Sequence, residues 1–310
     1  MENGTKYQDF ILLGFTDNWK LQILIFVLLL FTYCLTITGN VLIIVITFTD
    51  HRLHTPMYFF LRNYAVLEIG YITAAIPKAL TNLATGSKSI SFLECMTQSF
   101  LYFFLGTTDL FLLTVMSFDR YVAICNPLHY TTIINDRVCI LLVVGSWAIG
   151  FALIFSQTML FIQFPFCGSN IIDHFFCDNQ PLFKLLCGDT QLLQVTGFIS
   201  AVFAVLGTLM VSIVSYGNII STVLHIPSAV GRQKAFATCT SHITVVSIVY
   251  GTHIFMHVRP TESSSSELNK VVALLTSVVT PSLNPFIYTL RNEKVQQALR
   301  EEIRWSQCST

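Results

Sequence analysis

Charge is what this sequence has least of. Charged residues make up 11% of its 310 positions, against roughly 25% in a typical soluble domain. Too few are present to clothe a water-facing surface, which excludes a large soluble all-α core. Catalytic patterns are missing as well. No glycine-rich phosphate loop appears, no serine has His and Asp partners at a plausible depth, and no Cys/His cluster has metal-site spacing. The net charge is zero, and no nucleic-acid partner is expected. No basic region precedes a short apolar core at the N-terminus. Residues 1–20 are polar and acidic (Glu2, Asp9, Asp17), so no cleavable signal peptide is expected and the first span acts as its own insertion signal.

Apolar residues fill the space that charge leaves, at 53% of the chain, 26 of them phenylalanine. Runs of about 20 apolar residues are long enough to cross a bilayer as helices. Seven such runs are present, at about 21–48, 57–83, 95–119, 138–163, 192–225, 235–258 and 270–290. The expected fold class is an all-α membrane protein. It has an extracellular tail at 1–20, a seven-helix bundle at 21–290 and a cytoplasmic tail at 291–310. Within that tail Glu293 to Ile303 carries charges on one face and Val295, Leu299 and Ile303 on the other, the pattern of an amphipathic helix lying on membrane lipid. Ten Lys/Arg fall on one side of the bundle and seven on the other, which favours an outside N-terminus under the positive-inside rule. The glycosylation sequon Asn3-Gly4-Thr5 points the same way. So do Cys95, Cys167, Cys177 and Cys187, all at or beyond helix ends on the proposed outer side. Four cysteines allow three pairings, which spacing alone leaves open.

Several motifs stand out against this background. Met116 to Tyr130 reads MSFDRYVAICNPLHY and follows the apolar run Phe100 to Val115. A charge facing lipid at a helix centre costs roughly 2.5–3.5 kcal/mol, so Asp119 and Arg120 belong in a crevice between helices, paired. Leu53 to Leu61 reads LHTPMYFFL, and Lys234 to His242 reads KAFATCTSH, close to KAFSTCxSH. Ser215-Tyr216, His174 to Asp178 (HFFCD) and Asn284-Pro285-Phe286-Ile287-Tyr288 (NPxxY) complete the set. On these motifs the chain resembles the odorant receptors, a branch of the rhodopsin-like G-protein-coupled receptors, over about residues 10–300. Ser117-Phe118 stands where that family often has Ala-Tyr, a slight departure.

The resemblance implies a function and roles for these residues. Pairing is expected as Cys95–Cys177 and Cys167–Cys187, stapling a long second outer loop across the bundle mouth. Asp119 holds Arg120 at rest, and Arg120 meets a G-protein α subunit when the inner helix ends separate, with Tyr121, Tyr216, Lys234, Asn284, Pro285 and Tyr288 forming the switch. The G protein is expected to be the stimulatory olfactory type, raising cyclic AMP. The ligand is a small, mostly apolar, volatile molecule, and no catalysis is expected. Ligand-lining candidates are Tyr102, Phe103, Gly106, Thr107, Gln180, Ser200, Ala204, Tyr250, His253, His257 and Ser277. No basic residue is among them, which favours a neutral ligand over a carboxylate. An ion-coupled transporter is the alternative from another class, opposed by the absence of an internal repeat.

Some residues admit more than one reading. Glu68 and Asp109 are two carboxyls at membrane depth, the most expensive features in the sequence. Either one or both are protonated or watered, or they share a sodium ion, as related receptors do between the matching helices, or they touch ligand. No other cofactor is expected. Gly106 either packs helices or opens a cavity floor, and Gly197, Ser200, Ala201 and Ala204 either widen a pocket or let helices approach. Tyr250, His253 and His257 form a polar stripe that suits hydrogen bonding better than zinc, since no third ligand is near. Pro285 is expected to free a carbonyl that Asn284 satisfies, making a bendable point.

Overall fold

The computed structural model describes residues 9–167, 169–258, 266–290 and 295–298; the side chains of 230, 234–238, 241, 256–258, 266–267, 286 and 288–290 are not described. Seven long helices are present among these residues. They are α1 (Trp19–Thr49), α2 (Pro56–Thr85), α3 (Phe92–Cys125), α4 (Asp136–Phe161), α5 (Gln191–Leu224), α6 (Ala229–Val258) and α7 (Ser266–Leu290). They match the seven apolar runs of the sequence. At about 1.5 Å per residue, the 31 residues of α1 exceed the ~30 Å hydrocarbon core of a bilayer. The outer face of the bundle is apolar, with Phe31 63%, Leu141 69% and Phe198 65% exposed. That distribution is stable against lipid and unstable against water.

Local chemistry sets the helix ends. Asn18 caps α1 by accepting from the Lys20 N–H, and Pro56 opens α2, where its missing donor costs nothing. Ser91 and Glu94 form a reciprocal capping box at the start of α3. Helix α3 packs against α2, α4, α5 and α6 and so runs through the middle, while α1 packs on α2 and α7. Two helices carry π turns, α5 at Phe203–Gly207 and α7 at Leu275–Val279. Such bulges often mark functional segments.

One feature departs from the sequence expectation. Part of the expected tail, Asp9–Leu12, is a strand, β1. It lies between β2 (Ser89–Ser91) and β3 (Ile171–Ile172), antiparallel to the first with Phe10 opposite Ile90 and parallel to the second with Ile11 opposite Ile171. Phe10 and Leu12 point inward and are fully buried. The sheet caps one end of the bundle. Both disulfides lie at this end: Cys95–Cys177, with Cα atoms 5.4 Å apart, ties α3 to the loop after α4. Cys167–Cys187, at 5.7 Å, closes that loop on itself. Asn3 and most of the expected amphipathic tail helix lie outside the described residues; 295–298 are helical, with Val295 and Ala298 buried.

Candidate functional site

Midway through the bundle, α2, α3, α6 and α7 border a small cavity. Its wall is polar for a membrane interior: Glu68, Asp109, His253 and Asn284, with Tyr64, Tyr71 and several threonines. Tyr64, Glu68 and Tyr71 are spaced i, i+4, i+7 and therefore share one face of α2. That spacing was the available signal for the two tyrosines, which the sequence reading missed. Glu68 is 3% exposed, and its Oε2 has no hydrogen-bond partner among the described residues. Asn284 donates to Glu68 and, at 3.2 Å, to the Tyr64 hydroxyl. The expected bond from Asn284 back along its own helix is thus replaced by bonds across to α2. A buried carboxylate is the stronger acceptor and takes the amide.

The expected ligand-lining residues divide. Gly106 and His253 are on the cavity wall. A β-carbon at Gly106 would stand 3.2 Å from the Tyr71 ring, so this glycine both opens the cavity and admits the tyrosine edge. His253 Nδ1 sits 2.8 Å from the Val249 carbonyl, which makes that nitrogen the donor. Tyr102 stacks on Tyr71 at 4.7 Å, above the cavity, and Phe103 meets Tyr102 edge-on. Thr107 is half-buried on α3. Tyr250 is buried and shares a 3.1 Å hydrogen bond with Thr114, tying α6 to α3. Ser277 lies in the α7 π turn, buried, and donates to the Ala273 carbonyl. Ser200 accepts from Gln157 of α4 at 3.4 Å, and Ala204 lies buried in the α5 π turn. The α5 residues therefore serve helix packing and stand off the cavity wall. Gln180 is exposed on a short helix, Asn179–Phe183, because that helix sits on the bundle and not in it. The side chain of His257 is outside the described residues.

An aromatic column roofs the cavity. Above the Tyr71–Tyr102 stack, Tyr102 meets Phe176 at 4.5 Å, Phe176 meets Phe175 at 5.0 Å, and Phe175 stacks on Phe15 at 4.4 Å. The disulfide through Cys177 fixes this loop above the bundle. Lys270 at the start of α7 bonds Asp173 of the loop at 2.8 Å. Among the described residues, no lysine or arginine lines the cavity wall itself.

At the opposite end Arg120 is held. Its Nε donates to Asp119 Oδ2 at 3.0 Å, its Nη2 reaches the same oxygen, and Tyr130 donates to Asp119 Oδ1 at 2.7 Å. Asp119 is 1% exposed, so the pair sits in the expected crevice. Tyr121 packs beside it on Phe118. Tyr216 of α5 hydrogen-bonds His242 of α6, both buried. Polar contacts at this end thus link α3 to the loop after it and, through Cys125–Thr222 at 3.2 Å, to α5, and link α5 to α6. Pro285 lies inside α7; the side chains of Lys234 and Tyr288 are outside the described residues.

A family model described as olfactory receptor matches residues 29–304. The chain belongs to the olfactory receptor family. Olfactory receptor 6E1 of Mus musculus is 58% identical over 304 residues, covering 98% of this chain and 97% of that protein. Olfactory receptor 6T1 of Homo sapiens is 52% identical, covering 98% and 94%. Among solved structures, squid rhodopsin superposes with a TM-score of 0.71 over 94% of this chain and 87% of that one, at 14% identity, which shows the fold. The receptor is a multi-pass membrane protein and a signalling protein, not an enzyme. Family and fold together support a small-molecule ligand and a G protein as its partners.

Proposed function

We propose that the receptor binds a small, neutral, mostly apolar volatile molecule in the cavity between α2, α3, α6 and α7, and activates a stimulatory olfactory-type G protein that raises cyclic AMP. The observation that carries this reading is the pairing of the cavity that Glu68, Asp109 and His253 line with the restrained Arg120 at the far end of the same helix, α3. A ligand shifts such an equilibrium only through unequal affinity for the closed and open forms. His253 is on the cavity wall, within reach of a ligand there, and two carboxyls with no lysine or arginine beside them among the described residues oppose an acidic ligand. In this orientation the sheet-bearing end is extracellular, Arg120 is cytoplasmic, and the plasma membrane is the working site.

Glu68 and Asp109 take one positive charge between them in the resting form, a proton or a sodium ion. The unpartnered Glu68 Oε2 and the facing Asn284 amide fit that role, because a buried carboxylate with a vacant lone pair is costly without a cation or proton. The test is a cyclic AMP screen of volatile alcohols, esters, ketones and acids on cells expressing the full chain. Neutral compounds are expected to raise cyclic AMP. Arg120→Ala is expected to reach the surface in similar amount and give no response. A full response from Arg120→Ala would refute the assignment.

A further inference from the structure

A second cavity, open to the outside, lies at the sheet-bearing end between the N-terminal segment, the start of α1 and the end of α2. Its floor is apolar, formed by Leu13, Phe15, Ala79, Leu83 and Phe175. The Phe15–Phe175 stack and the aromatic column beneath it separate this space from the acidic cavity. The charged residue on its wall is Lys88. Lys88 Nζ is held by Asp17 at 2.8 Å, and the Asp17 side chain is 92% exposed. Exposed pairs of this kind are weak, so another carboxylate exchanges with Asp17 at little cost. The two cavities differ in charge: Glu68 and Asp109 line the first, and Lys88 is the charged side chain among the described residues of the second.

We propose that this second cavity binds a medium-chain carboxylic acid, its chain on the Leu83–Phe175 floor and its carboxylate on Lys88 in place of Asp17. The proposal stands independently of the signalling reading above. It is tested on full-length receptor in nanodiscs, photolabelled with a diazirine-bearing octanoic acid and with the matching alcohol, followed by peptide mapping. The acid is expected to label residues 12–16 and 79–88, and the alcohol about threefold less, as befits loss of one partly exposed charge pair. Lys88→Gln is expected to lower acid labelling by a similar factor, and Asp17→Asn to raise it by removing the competing carboxylate. Leu83→Trp, which fills the floor, is expected to abolish it. A bridge with a purely structural role would move the two charge variants in the same direction. Parallel changes in Lys88→Gln and Asp17→Asn, equal labelling by acid and alcohol, or label confined to the acidic cavity would each overturn the proposal.

Discussion

A β-carbon added at Gly150 of α4 would overlap Thr108 Oγ1 and stand 3.3 Å from the Thr108 backbone nitrogen. Thr108 is fully buried and donates to the Phe104 carbonyl at 2.8 Å, so it has nowhere to retreat. Gly150→Ala is therefore expected to lower the thermal stability of purified receptor, by about 1–3 kcal/mol as overpacking does. Adding Thr108→Ala removes the obstructing hydroxyl and is expected to restore most of the loss, a coupling that contacting residues show and distant ones do not. Additive losses in the double variant would contradict this contact. Single residues were legible in the sequence where they were expensive. Asp119, Arg120, Glu68 and Asp109 stand out because a polar group in an apolar run must find a partner, and each is where one is available. Gly150 was silent, because an almost uniformly apolar α4 carries no pattern that fixes which face meets α3.

The loop between α4 and α5 shows what an element adds. His174 is buried between Phe175 and Phe176, with its Nδ1 3.5 Å from the Phe176 N–H. Burial first, and the Lys270 charge second, push its pKa down to about 3. The unfolded chain takes up a proton near the ordinary value of 6.5, whereas the folded loop holds the imidazole neutral. Protons therefore favour the unfolded loop, and the stability that His174 lends is full above about pH 6.5 and is lost as pH falls towards 3. Receptor melting is expected to drop between pH 7.5 and pH 5, and His174→Gln is expected to flatten that drop; an unchanged pH profile in the variant would contradict the assignment. At this scale the seven helices and the cysteines at their ends were readable, since length and periodicity carry the first and position the second. The sheet was not. Asp9–Leu12 is four residues long and pairs with strands of three and two, too short for alternation to register. The π turns of α5 and α7 were likewise invisible, because a one-residue bulge leaves apolar composition unchanged.

For the whole molecule the account joins two distant places, the cavity wall and Arg120, through α3 and α6. Tyr250–Thr114 and Tyr216–His242 are two polar contacts that α6 makes to α3 and α5, so on this account a ligand that pulls on His253 acts on the helix that moves. The sequence made the bundle and the arginine legible, but not which helices wall the cavity. That depends on helix rotation, and α5, expected to contribute, spends Ser200 on Gln157. The most direct test is the distance between spin labels placed at His129, beyond α3, and Arg232, on α6, in nanodisc-held receptor. The account predicts a widening of about one helical turn, ~5 Å, when a neutral agonist from the cyclic AMP screen and the G protein are added together. An unchanged distance with agonist and G protein both bound would contradict it.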